Sequence, residues 1–323
     1  MSHDKGRSVA RRVKHALIAE GRLRSGWRVA LYLFCYLLGM LGTQIPVTVL
    51  YVAYVYARGA DVVSRLVEML QPDHLAVGLV LAFKLAELAM LLPLTYVFCR
   101  FLDRRPLSGL GLGRGSGWGQ EILLGLALGA TQMALILGLE WAGGWLTVAC
   151  LDGAALIHGL AQAGIAMALF VLVAMGEELL FRGYLQVNLG EGIGSWPALV
   201  VTSALFGVFH ALNPHFGWLP LLNIALAGLA MGYGRLVSGR LWLPMAYHLS
   251  WNFFQGPVLA LPVSGMRYGG LLAVADRGAA PLLTGAAFGP EGGLIGTAVL
   301  LLAFPMFWWW GRRQRKFHKS MRT

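Results

Sequence analysis

Glu177 and Glu178 stand side by side in an apolar run, and Arg182 follows Glu178 by four residues. Further along the same half of the chain, His210 lies four residues after Phe206, and Asn252 lies four residues after His248. A spacing of four puts both members of each pair on one face of a helix. A carboxylate and a neutral imidazole, both shielded from bulk water, can share the activation of one water for attack on a carbonyl. A second imidazole with an amide beside it can donate to the oxyanion that forms. Glu178 is placed for a helix ion pair with Arg182, which leaves Glu177 free as the base. The residues that carry this chemistry are Glu177, His210, Glu178, Arg182, His248 and Asn252. A second route uses Glu177, His210 and His248 as ligands of Zn²⁺, with an open position for water. Both routes end in hydrolysis, and the spacing leaves both open.

The surroundings make these charges expensive. The chain is 323 residues long, 57% hydrophobic and only 13% charged, about half the charge of a soluble domain. The flanks 165–173 and 179–189 are apolar enough to lie in a bilayer, where a charge costs at least ~2.5–3.5 kcal/mol and marks a functional site by default. Two carboxylates with one arginine also leave a net charge, which buried sites avoid without a reason.

The elements that must position these groups are membrane helices. The predicted fold class is all-α, a polytopic bundle of eight spans at about 27–56, 75–101, 119–146, 157–189, 196–212, 218–237, 241–261 and 292–310. The organisation that follows is a basic segment 1–26, three spans in 27–148, a catalytic core of spans four to seven in 149–261, an outer loop 262–291, and the last span with a basic tail in 292–323. The net charge of +11 collects at the ends, from Lys5, Arg7, Arg11, Arg12, Lys14, Arg22, Arg24 and Arg28 to Arg312, Arg313, Arg315, Lys316, Lys319 and Arg322. Both tails therefore read as cytoplasmic and in contact with anionic lipid. With no aromatic interleaving or known module, the charge is no nucleic-acid signal.

Helix arithmetic supports a shared site. If spans four and five turn near Gly190–Gly194, Glu177 and His210 both sit roughly 20–24 Å from the hairpin tip, and His248 lies about 12 Å beyond its own inner turn. Gly125/Gly129 and Gly228/Gly232 permit close helix contacts inside one bundle. Lys84 and Glu87, three apart, read as a pair with each other. Gln44, Gln132 and Glu140 read as packing groups, and Cys35, Cys99 and Cys150 form no framework. No cleavable signal peptide is expected. There is no HExxH, no Gly-x-Ser-Gly and no aspartate pair within the spans, since Asp4, Asp61, Asp73, Asp103, Asp152 and Asp276 fall in tails, loops or span ends.

The three motifs Glu177-Glu178-x-x-x-Arg182, Phe206-x-x-x-His210 and His248-x-x-x-Asn252 resemble the pattern of the CPBP family. These are the CAAX-protease and bacteriocin-processing membrane proteins, also called Abi or Rce1-like. The stretches Leu283-Thr284-Gly285 and Gly289-Pro290-Glu291-Gly292 resemble segments of bacterial members. The resemblance implies an intramembrane endopeptidase of a bacterial inner membrane, acting on a peptide or membrane-protein substrate. It implies Glu177 and His210 at the water, His248 and Asn252 at the oxyanion, and Glu178 with Arg182 in support. It leaves open whether Zn²⁺ takes part. Two rival readings are a non-enzymatic peptide- or lipid-binding immunity-type protein, and a proton-coupled transporter using Glu177 and Glu178.

Overall fold

The computed structural model describes residues 17–19, 21–69 and 77–320. The basic residues from Lys5 to Lys14, together with Asp4, Asp73 and Arg322, lie outside the described residues. A short pair of strands, β1 (Ile18–Ala19) and β2 (Arg22–Leu23), leads into α1 (Ser25–Ala57), which contains Pro46, and then α2 (Val62–Met69). Helix α3 (Val77–Val97) widens into a π-turn, Phe98–Asp103, and α4 covers Trp118–Ala142. Strand β3 (Leu146–Cys150) precedes a long helical unit made of α5 (Gly153–Glu178), a π segment Leu179–Leu185 and α6 (Gln186–Ile193). The chain turns at Gly194 into α7 (Ser195–Phe209). It continues through α8 (Trp218–Ser238) and α9 (Trp242–Phe253), which runs on as a π segment, Phe254–Val258. Strand β4 (Leu272–Asp276), α10 (Pro281–Thr284), α11 (Leu294–Leu301) and α12 (Ala303–Ser320) complete it.

The protein is mostly helical, and among the described residues six helical stretches are long and apolar enough to cross a membrane. The predicted fifth and seventh spans correspond to α7, of 15 residues, and α9, of 12. The fold is not purely helical. Strand β3 pairs antiparallel with β4, from Leu146 against Asp276 to Cys150 against Leu272. The Leu-Thr-Val-Ala-Cys run suits a strand, but its partner lies over 120 residues away, beyond any local pattern. The loop read as 262–291 is ordered around this sheet.

Helix α9 sits at the centre, packed on α4, α5 and α8. Its contact with α4 is close because Gly125 and Gly129 face it: a Cβ on Gly125 would fall 2.7 Å from the Leu243 carbonyl oxygen. Gly228 and Gly232 give α8 the same closeness to Ser203 and Leu199 of α7. Both glycine pairs thus pack helices within the bundle, as their spacing predicts. At the other end of α5–α6, buried Arg28 pairs with Asp103, donates to Asn188 Oδ1 at 2.8 Å, and reaches Glu191 Oε2 at 2.6 Å. Tyr32 stacks on Tyr184 beside it, ring centroids 3.7 Å apart. This cluster fixes α1 and the α3 π-turn to the long helical unit that carries the two glutamates.

The stretch after α10 is glycine-rich, and its backbone packs directly on backbone. Gly285 and Gly289 have φ of +78° and +97°, and a Cβ on Gly289 would stand 2.0 Å from the Pro262 carbonyl oxygen. Gly289→Ala is therefore expected to destabilise the protein by at least ~2 kcal/mol. Thermal unfolding in detergent checks this; an unchanged midpoint would contradict the packing described.

Candidate active site

Six sequence-predicted residues converge. The α5 helix ends on Glu178, and the π segment begins at the next residue, an irregularity that recurs at functional sites. Glu178 is fully buried, and its Oε1 accepts from Arg182 Nη1 at 2.8 Å and from His248 Nδ1–H at 2.9 Å. Arg182 is buried too. Its guanidinium lies 4.2 Å over the Phe206 ring and donates to the Gly228 carbonyl at 3.3 Å. The phenylalanine of the second motif thus forms the seat of the arginine of the first, an apolar surface that a planar guanidinium tolerates well.

Glu177 takes the other side. Its Oε2 is buried without a hydrogen-bond partner and lies 3.9 Å from Nε2 of both His210 and His248. Its Oε1 is 3.9 Å from Lys84 Nζ. His210 caps the end of α7, one residue past Phe209, and is not interior to a helix as its predicted span of 196–212 implied; Asn213-Pro214 follows three residues on. Its Nδ1 donates to the Phe206 carbonyl at 2.8 Å, which turns Nε2 toward Glu177. In both imidazoles an acceptor holds the Nδ1 proton, so the two Nε2 atoms turn toward one point. A water 2.8 Å from Glu177 Oε2 and from either Nε2 would subtend about 90°, within hydrogen-bonding range.

A zinc ion does not fit the same atoms. At about 2.0–2.1 Å from two atoms 3.9 Å apart, it would open an angle of about 140°, far from tetrahedral. Among the described residues no group of three or more His, Cys, Asp or Glu is arranged to hold a metal.

Glu177, Phe206, His210 and His248 line a cavity of about 280 Å³. Asn252 lies on its wall one turn past His248. The walls extend beyond the 149–261 core: Tyr36 and Met40 from α1, Lys84 and Glu87 from α3, Ser264, Tyr268 and Glu291 from the outer segment, and Leu300 from α11. Lys84 does pair with Glu87 at 2.9 Å, and Tyr36 donates to Glu87 at 2.8 Å. The pair faces the site, which the reading of a self-contained pair missed. Its signal was the same one that marked Glu177: charge in an apolar span. Gln132, by contrast, is a packing group, accepting from Tyr247 at 2.6 Å and donating to the Val299 carbonyl at 2.8 Å. Glu291 was not picked out as a site residue. Its carboxyl is pushed up by burial and held partly back by the Ser264 hydroxyl and amide.

The fold and site are those of a helical bundle with six apolar stretches of membrane-spanning length and a carboxylate–imidazole site in a largely apolar cavity. A family model described as type II CAAX prenyl endopeptidase Rce1-like matches residues 159–254. That stretch contains Glu177, Glu178, Arg182, His210, His248 and Asn252, so the resemblance carried by the three motifs holds over it, at the level of a family of membrane proteases. No curated protein and no solved structure matches the chain.

Proposed function

We propose that the protein is an intramembrane endopeptidase that hydrolyses a peptide bond with a water held by Glu177 and His210. The observation that carries this reading is the unpartnered Glu177 Oε2 facing two imidazole Nε2 atoms at 3.9 Å. Glu177 takes a proton from the water as its oxygen bonds to the carbonyl carbon. His210, its Nδ1 anchored on Phe206, orients that water through Nε2. The tetrahedral intermediate's oxyanion is met by Asn252 and by His248 carrying a proton on Nε2, with Glu178 offsetting the imidazolium charge. When the C–N bond breaks, Glu177 returns its proton to the leaving nitrogen. Arg182 neutralises Glu178 and so holds His248 in place.

The site lies on membrane helices, so the substrate is a peptide segment that enters from the membrane or the cytoplasmic side. The basic tails support a reading with both termini on the cytoplasmic side of a bacterial inner membrane and eight crossings, α7 and α9 included. The matching family is named for prenylated CAAX chains. For this protein the aromatic walls, including Phe170, Phe181 and Phe206, support an apolar segment as the substrate class.

The test is to incubate the purified protein in nanodiscs with peptides from membrane proteins and identify new termini by mass spectrometry. New termini are expected, and their yield is expected to be unchanged by 1,10-phenanthroline. An absence of new termini would overturn the proposal. Loss of cleavage on chelation, restored by zinc, would replace the water mechanism with a metal one.

A further inference from the structure

Among the carboxylates that line the cavity, Glu291 is the one with no cationic partner within ion-pair distance among the described residues; His210 acts on it only from farther off. Glu87 has Lys84 at 2.9 Å, and Glu177 has Lys84 and two imidazoles at 3.9 Å. Among the described residues no lysine, arginine or histidine lies within ion-pair distance of Glu291, although it is only 8% exposed. Its contacts are all uncharged donors: the Ser264 amide at 2.7 Å and hydroxyl at 2.8 Å to Oε2, and the Trp251 indole N–H at 3.3 Å to Oε1. Accepting three donors suits an ionised carboxylate, and about four lone-pair positions leave one on Oε1 unused. An ionised group buried without a counter-charge is costly, and a ligand that brings the charge removes that cost.

The placement is built at some expense. Glu291 sits in the glycine-dense fold-back, between Gly289 and Gly293, where a Cβ at either would stand about 2 Å from a carbonyl oxygen. Ser264, which holds it, has a φ of +49°. Trp251 and Tyr268 line the cavity with it, and aromatic side chains of this kind can favour a cation.

We propose that Glu291 receives a positively charged side chain, lysine or arginine, of the peptide segment in the cavity. The inference rests on the endopeptidase reading for the nature of the ligand. It makes the protein select a basic residue near the bond it cuts, within an otherwise apolar segment.

The test uses an apolar decapeptide set with lysine or norleucine at each position in turn. Cleavage is read with the wild type, Glu291→Gln and Ser264→Ala, and binding is read with the Glu177→Gln form of each. Lysine at one position is expected to favour binding and cleavage by about tenfold or more over norleucine, the scale of a charged hydrogen bond. Glu291→Gln is expected to bring that ratio to about one, whereas Ser264→Ala, which loosens the clamp and keeps the charge, retains it. If both variants lose the preference alike, Glu291 is only a clamp and the proposal falls. It falls equally if no lysine preference exists, if the preference survives Glu291→Gln, or if no peptide binds. Should Glu291→Gln fail to fold, Ser264→Ala and the wild type decide alone: a lysine preference present in both supports the proposal, and its absence overturns it. A lysine preference in binding with no cleavage by the wild type would uphold the cation site and reject the endopeptidase reading.

Discussion

Glu177→Gln is expected to lower kcat by about 10²–10⁴-fold, the range of a lost general base, while KM stays within about twofold. The amide keeps the shape of the carboxylate and its place among Lys84, His210 and His248, but it cannot take the proton of the water. Glu177 Oε2 accepts no hydrogen bond from the protein, so the substitution removes no structural bond at that atom, and the folded state should be retained. Initial rates on a cleaved peptide, with thermal unfolding alongside, separate the two effects. A kcat within tenfold of wild type would remove Glu177 from the chemistry.

Arg182→Met should act on the fold. It leaves Glu178, with no exposure, facing only His248, and stranding one partner of a buried ion pair costs roughly 3–5 kcal/mol. Methionine fills much of the arginine's volume on Phe206, so most of the loss is the unpaired charge. Arg182→Met combined with Glu178→Gln removes that charge and should recover much of the stability, although His248 Nδ1 then donates to a neutral amide oxygen in place of a carboxylate and activity stays low. Unfolding midpoints of the single and double variants check this. A single variant as stable as the wild type would show that the pair is not what holds α5 against α8 and α9.

What was legible in the chain follows from how local each signal is. Glu177, Glu178 and Arg182 stood out because charge is rare in an apolar helix, and the four-residue spacing assigned the Glu178–Arg182 pair before any coordinates. His210 and His248 could be placed near Glu177 because antiparallel helices convert residue counts into depth. The same arithmetic could not show that α7 stops at Phe209, ahead of the Asn213-Pro214 break and shorter than its apolar run. It could not reveal the π segment after Glu178, which leaves no mark in hydrophobic periodicity. The β3–β4 pair and the Ser264–Glu291 contact join residues far apart or inside a glycine-rich loop, where no repeating pattern exists to read. Lys84 and Glu87 were visible as charges in a span, but a three-residue spacing explained them too easily, and their exposure to the cavity depends on how α3 packs against α5.

The central claim is that this cavity cuts peptide bonds with a water addressed by Glu177 and His210. The most direct measurement sets the wild type beside Glu177→Gln and His210→Gln in nanodiscs with one peptide pool, reading new termini by mass spectrometry and retained peptides by photo-crosslinking. The expected result is new termini with the wild type alone, and the same peptides retained uncut by both variants. The same set of new termini from all three proteins, or retention by all three with cleavage by none, would contradict it.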